Sequence, residues 1–369
     1  MIKVILIEPV LPHYRKDVFR TLTESNVFDL EFVAGKEYQG IISIIPEQSS
    51  VFNHSSFRCF GHRFFYLKGA FRYIKSKKPD IIISTGVDFH LIHTLIIYFY
   101  QRFIKRKKFY WWSHATKGNQ GRLGFFIRKI VYRNSTGVMA YNSEGKKNLL
   151  KMGISENKIQ VVNNSINAED YGYLNHDLFQ KKANSRFTIL YSGRVIEAKK
   201  VDLLIKALGL IKSRSRFDFI CYIVGGGDLD LLKNLAKECN VYKNIAFTGE
   251  KYGKDNQEYF LNSDVFVYPG GIGLSILHAM SFGLPVITTD DLTSQYPEFE
   301  LLLPGINGDV YKNNSVEDLA DKISIWKLKS ETSRNTITKN CINRIKELGY
   351  LPEEQSRRVI EFVAKDLPG

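Results

Sequence analysis

Phe187-Thr188-Ile189-Leu190-Tyr191-Ser192-Gly193-Arg194-Val195-Ile196-Glu197-Ala198-Lys199-Lys200-Val201-Asp202 is the stretch whose reading decides the fold. Ile189–Ser192 is an apolar run of strand length, Gly193 lets the backbone turn, and a helical pattern runs from Val201 to about Lys212. A buried strand passing at once into a helix is the repeating unit of a parallel sheet with crossover connections. The unit recurs downstream: strand Asp218–Val224, helix Leu229–Cys239, strands Ile245–Thr248 and Val265–Tyr268, helix Leu274–Phe282, strand Val286–Thr289. Upstream the strands are Val4–Ile7, Leu30–Val33, Ile81–Ser84, Lys108–Trp112 and Gly137–Tyr141, with helices between them, the first beginning at Lys16–Leu22.

The rhythm stops around Val161–Asn167 and restarts at Phe187, across a polar stretch reaching about Ser185. A chain of 369 residues is also long for one core. The expectation is therefore an α/β protein of two Rossmann-like domains, residues 1–167 and 186–352, with a linker at 168–185. Two such units in series imply a ligand at the carboxyl ends of their strands.

Composition narrows the classes. Hydrophobic residues at 44% and aromatics at 13% suit packed cores and exclude a disordered chain. Cys59, Cys221, Cys239 and Cys341 lie far apart with no C-x-x-C pair, which reads as reduced thiols. The apolar opening Val4–Ile7 closes on Glu8-Pro9, too short for a signal peptide, and Phe89–Tyr100 is too short to span a bilayer. The expected location is cytoplasmic. The charge is uneven: 52 Lys and Arg stand against 38 Asp and Glu, yet Phe89 to Ser143 holds no acid at all. Lys105, Arg106, Lys107, Lys108 and five more basic residues besides Lys117 fall there, among Phe103, Phe109, Tyr110, Trp111, Trp112, Phe125, Phe126 and Tyr132. Two readings stand: a surface for anionic lipid or diphosphate, or a solvated basic face over core aromatics. No nucleic-acid recognition motif accompanies the charge.

Three turns carry candidate chemistry. After Ser192-Gly193, Arg194 and Lys199 place two cations on a βα loop, where they would stabilise a departing diphosphate or be merely solvated. In Tyr268-Pro269-Gly270-Gly271-Ile272-Gly273-Leu274 the glycines let backbone amides approach an anion at a helix start, and His278 follows in that helix, facing the pocket or packed in the core. Val224-Gly225-Gly226-Gly227-Asp228 is another strand-to-helix turn, but Asp230 breaks the G-x-G-x-x-G dinucleotide spacing. Asp228 reads as a helix cap, not as half of a metal-binding Asp-x-Asp. In the first half, His114 follows the strand Lys108–Trp112, and His13, Tyr14 and Arg15 sit on the loop after the first strand, placed for an acceptor.

These segments, in this order, resemble glycosyltransferase family 4, the retaining GT-B enzymes that use nucleotide sugars. Gly193-Arg194 with Lys199 looks like that family's diphosphate clamp, and Ile223–Gly227 like its strand–glycine turn. Gly271, Ile272, Gly273 and Leu274 with Ala279-Met280 look like its donor-binding helix. His114 stands where such enzymes carry a histidine near the transferred sugar. The resemblance implies two Rossmann-like domains facing across a cleft, a final helix (353–369) returning to the first, a nucleoside-diphosphate sugar as donor and no metal cofactor. Gly193, Arg194, Lys199, Gly225, Gly226, Gly271–Leu274 and His278 would bind the donor. His13, Tyr14 and Arg15 would bind the acceptor, with His114, Arg194 and Lys199 as catalytic groups. One departure is plain. The family's two glutamates, eight positions apart, are Gly270 and His278 here. The implied activity is sugar transfer to a saccharide or lipid-linked acceptor of a bacterial surface polysaccharide, O-antigen or capsule, at the inner face of the cytoplasmic membrane. The alternative is a catalytically inactive sugar-nucleotide-binding or scaffolding protein.

Overall fold

The computed structural model describes residues 2–115, 121–172, 186–214 and 217–366. The chain divides into two compact units: Met1–Asn167 together with Leu351–Gly369, and Ala168–Tyr350. Most of the expected linker, 173–185, lies outside the described residues, as does Lys117.

The first unit contains β1 (Ile2–Glu8), α1 (Lys16–Glu24) and β2 (Phe28–Gly35), then β3 (Glu37–Tyr38) and β4 (Ile41–Ile42). Next come β5 (Ser49–Phe52), β6 (His54–Cys59), β7 (His62–Leu67), α2 (Ala70–Lys77) and β8 (Ile81–Thr85). α3 (Ile92–Phe99) runs on into a π-helical turn over Tyr100–Ile104 and is followed by β9 (Lys108–Ser113), α4 (Arg122–Asn134), β10 (Gly137–Ala140), α5 (Ser143–Lys151) and β11 (Ile159–Val161). Seven of these strands pair in the order β11-β10-β9-β8-β1-β2-β5, all parallel. Both faces of a parallel sheet are covered, so central strands are apolar without alternation. Successive residues of β1 serve opposite cores: Ile5 and Ile7 join Ile97, Tyr98 and Val131 on one face, Val4 and Leu6 join Phe19 and Leu22 on the other.

In the second unit, β12 (Phe187–Ser192), α6 (Val201–Ser213), β13 (Phe219–Val224), α7 (Leu229–Glu238) and β14 (Ile245–Gly249) form one half. α8 (Gly253–Leu261), β15 (Val265–Tyr268), α9 (Leu274–Ser281), β16 (Val286–Thr289), β17 (Gly308–Tyr311) and α10 (Val316–Leu348) form the other. Its six strands are parallel in the order β14-β13-β12-β15-β16-β17. α7 opens on Asp228, whose carboxylate accepts from the Asp230 amide. α10 ends at Gly349, whose φ of 73° a side chain would strain. The last helix, α11 (Pro352–Ala364), belongs to the first unit, where Val359, Phe362 and Val363 are buried in the core shared with α1.

The sequence pattern leaves unread the region between β2 and β8. It holds a parallel edge strand, β5, and two small antiparallel hairpins, β3–β4 and β6–β7. These strands are short and half-exposed, so they lack the apolar runs that mark the others. Among the described residues no helix is long and apolar enough to cross a membrane.

Candidate functional site

In each sheet the strand order reverses beside the first strand, β1 in one and β12 in the other, the place where parallel sheets of this kind generally bind ligands at their carboxyl ends. In the second unit the reversal falls between β12 and β15, so the loops after Ser192 and Tyr268 meet. The loop after Val224 also packs on the loop after Ser192, and glycine makes that approach feasible. Gly225 has φ 151°, and a Cβ there would run into the Gly193 carbonyl. The Gly193 amide donates to Val224 O at 2.9 Å and the Val195 amide to Gly226 O at 2.8 Å, fastening the loop after Ser192 to the loop after Val224.

Lys199 reaches across this seam. Its Nζ donates to Gly271 O at 2.7 Å and lies 5.0 Å from the Tyr268 ring centre. Burial, and secondarily the charge of Arg194, pulls its pKa below the ordinary lysine value. Arg194 is exposed, with its carbonyl held by the Tyr191 hydroxyl at 2.7 Å. The Tyr191 and Tyr268 rings stack at 5.1 Å, and burial pushes the Tyr268 phenol up to about 12. The two cations and the start of α9 thus share one seam, which favours an anion. The amides of the glycine loop contribute less than their number suggests. Gly270 N donates to Lys199 O at 3.1 Å, and Ile272 N donates to the Gln295 side chain at 2.8 Å. Gln295 also donates to Thr289 O at 2.7 Å, so it ties the loop to β16.

The positions that depart from the family resemblance have definite surroundings. A Cβ on Gly270 would press on the Ala198 carbonyl and approach Lys199 Cα to 2.7 Å, so the loop closes where a glutamate side chain would start. His278 packs its ring 4.2 Å from that of Phe260 and 5.5 Å from that of Phe282. The residue is half-buried, but its Nε2 is sealed from solvent without a hydrogen-bond partner, and burial pushes its pKa down to about 4. Gly226 sits under the Glu250 side chain, its carbonyl accepting from the Val195 amide next to Arg194.

The first unit gathers a second cluster at the carboxyl end of β1, β9 and β10. Arg15 turns inward. Its Nη1 lies 3.2 Å from the Glu8 carboxylate and its Nη2 donates to the Tyr141 hydroxyl at 2.6 Å, with side-chain exposures of only 6% for Arg15 and 7% for Glu8. Its guanidinium also stacks over Trp112 and Tyr141. Burial pushes the Glu8 carboxyl up to about 7 against the opposing pull of Arg15. The other face of the cluster is His114, whose ring lies 4.4 Å from that of Tyr141. His13 is exposed and Tyr14 half-buried beside it, while the His13 carbonyl accepts from Asn167 at 3.0 Å. Sequence reading passed over Glu8 and Gln295 and gave no role to Tyr141 or to Tyr268, which opens the glycine turn. The signal for Glu8 and Tyr268 was available, since each closes an apolar strand run that passes into a candidate loop. Among the described residues no three His, Cys, Asp or Glu side chains converge as metal ligands would.

Residues 176–344 match the family model described as Glycosyl transferases group 1. The matched residues lie within the second unit. Over 233 residues the chain is 26% identical to an uncharacterized 41.2 kDa protein in the cps region of Klebsiella pneumoniae, covering 59% of this chain and 61% of that one. The chain spans about three fifths of the length of the curated relatives it matches. Among solved structures, HepE from Anabaena in complex with UDP superposes with a TM-score of 0.70 at 15% identity, over 99% of this chain and 100% of that one. The lipopolysaccharide outer core galactosyltransferase WaaB, in its apo form, superposes with a TM-score of 0.68 at 15% identity and the same coverage. The fold is GT-B: two Rossmann-like units, the second carrying the cation seam.

Proposed function

We propose that this protein is a retaining, hexosyl-type glycosyltransferase of family 4 that takes a sugar from a nucleoside-diphosphate donor. The observation that carries the reading is the seam at the strand-order reversal of the second sheet, where Lys199 shares a loop with exposed Arg194 and bonds Gly271 O, just before α9, at 2.7 Å. Breaking the bond between sugar and diphosphate leaves negative charge on phosphate oxygens. Cations already in place stabilise that charge more than they stabilise the intact donor. The UDP bound by HepE is the corresponding ligand in a protein of the same fold. Donor contacts fall to Gly193, Arg194, Lys199 and the start of α9. The acceptor falls to the first unit, with His13 and Tyr14 toward solvent and Arg15 holding Glu8 and Tyr141 behind His114. No metal takes part in this reading.

The acceptor we propose is a saccharide or lipid-linked saccharide of a bacterial surface polysaccharide, met at the inner face of the cytoplasmic membrane. The cps-region relative and the lipopolysaccharide enzyme of like fold support that choice. The test is calorimetric titration with UDP and GDP, then transfer from a panel of their sugars. Arg194→Ala and Lys199→Ala are each expected to lower turnover by roughly 10²–10³-fold. Unaltered turnover in both variants, or no nucleotide binding by the parent protein, would overturn the reading. A second reading has its own observation. Gly270 is closed against Lys199 and His278 is packed on Phe260, so neither offers the carboxylate of the family pattern. Tight nucleotide binding with no transfer to any extracted lipid or saccharide would favour a binding protein without catalysis.

A further inference from the structure

In α4, Leu123, Phe126, Ile127 and Ile130 recur at the spacing of one helical face, the spacing that normally marks a core-facing stripe. Here they face water, with exposures of 71%, 57%, 36% and 45%. The core is served from elsewhere on the helix, by buried Val131 and Tyr132. α3 and its π-helical turn repeat the arrangement. Ile97 and Tyr98 are buried, while Phe99, Phe103 and Ile104 are 53%, 51% and 70% exposed. The Phe99 and Phe103 rings stack on each other at 5.7 Å.

The two stripes belong to one surface. α3 and α4 are successive crossovers, from β8 to β9 and from β9 to β10, and so cover the same face of the sheet. They touch along their length: the Tyr98 hydroxyl donates to Val131 O at 3.0 Å, and Arg102 Nε donates to Asn134 O at 2.7 Å. Apolar area of this extent on a soluble domain marks an interaction site. Its charge selects the partner. No Asp or Glu occurs between Phe89 and Ser143, whereas Lys105, Arg106, Arg122 and Arg133 stand exposed around the stripes. A second copy of this chain would set cation against cation. An anionic bilayer offers phosphates to the rim and acyl chains to the centre.

We propose that the outer face of α3 and α4 lies in the interface of an anionic bilayer, its phenylalanine, leucine and isoleucine side chains below the headgroups and its arginines and lysines among the phosphates. The aromatics that give this stretch its composition divide accordingly. Phe109, Tyr110, Trp111, Trp112 and Tyr132 fill the core, and Phe103, Phe125 and Phe126 face out. α4 begins on the carboxyl side of β9, the side that carries His114, so the bilayer would bring a lipid-linked saccharide to the edge where the first unit's cluster lies. The inference deepens the reading of a lipid-linked acceptor, but the docking itself does not depend on turnover.

The experiment is flotation of the full chain with vesicles of phosphatidylglycerol and phosphatidylethanolamine, and with phosphatidylcholine vesicles. Two variants are compared with the parent: Leu123→Ser/Phe126→Ser/Ile127→Ser, and Lys105→Gln/Arg106→Gln/Arg133→Gln, which alters only exposed side chains. The parent is expected to float with phosphatidylglycerol and not with phosphatidylcholine. The apolar variant should lose affinity at least tenfold, and the charge variant roughly fivefold per cation removed. No flotation of the parent, or equal flotation of parent and both variants, overturns the proposal. So does a concentration-dependent dimer of the parent that the apolar variant abolishes. UDP titration of the same samples separates the two ideas. Flotation without UDP binding removes the donor reading and leaves the docking, and UDP binding without flotation does the reverse.

Discussion

At the residue scale, packing fixes the state of Gly270, His278 and Glu8, and each gives a test. Gly270 has no room for a Cβ beside the Ala198 carbonyl and Lys199, so Gly270→Ala should destabilise by about 1–3 kcal/mol, read from urea midpoints. It should also weaken UDP binding, because the displaced segment carries Lys199. Restoring the glutamate of the family pattern at this position is therefore expected to harm, not rescue. His278 gives a pH test. Its folded pKa of about 4 lies below the ordinary 6.5, so its contribution to stability is complete above pH 6.5 and is lost as pH falls toward 4. Buried His93, also pushed down to about 4, acts in the same direction. His278→Leu should flatten part of that acid loss, and an unchanged slope between pH 6.5 and 4 would count against the packed, neutral ring. Glu8 works in the opposite sense. Its carboxyl is raised from 4.5 to about 7, so its contribution is complete below pH 4.5 and is lost as pH rises through 7. Between pH 5 and 7.5 the parent should lose stability relative to Glu8→Gln, by no more than about 3 kcal/mol. The Arg15 pairing makes the smaller end of that range the better expectation.

At the scale of elements, the site depends on how strands end. β12 and β15 close on Ser192 and Tyr268, and their loops meet because the sheet order places these strands side by side. Nothing local to either segment dictates that meeting. Gln295 shows the consequence: from the loop after β16 it accepts from Ile272 N and donates to Thr289 O, a bridge that no sequence spacing announces. Gln295→Ala is expected to cost about 1–3 kcal/mol by leaving those groups unpaired, and to raise the Kd for UDP, which calorimetry would read. α11 is held similarly, by Gln355 bonding Ser165 and Asn163 and by Phe362 at 5.7 Å from Tyr110. Phe362→Ala should cost about 3–5 kcal/mol in equilibrium unfolding. A loss below 1 kcal/mol would mean that the helix is not anchored as described.

At the scale of the molecule, α11 completes a core begun by the first strand, so the first unit cannot close until residues 352–364 are in place. Removal of residues 351–369 should lower the calorimetric transition of that unit and leave the second unit's transition in place. The sequence by itself determined the alternation of strand and helix, because long buried runs such as Ile81–Ser84 and Ile189–Ser192 need no partner to be recognised. It also determined the two Rossmann-like units and the candidate cation loop, because glycine and charge at a strand end are local signals. Only the tertiary structure decided which aromatics of the basic stretch are core and which face out, that Arg15 pairs with Glu8, and that Gly270 and His278 are closed in by neighbours. The physical reason is common to all three. Exposure, pKa and room for a side chain depend on atoms brought close from distant parts of the chain, and periodicity along one segment carries no record of them.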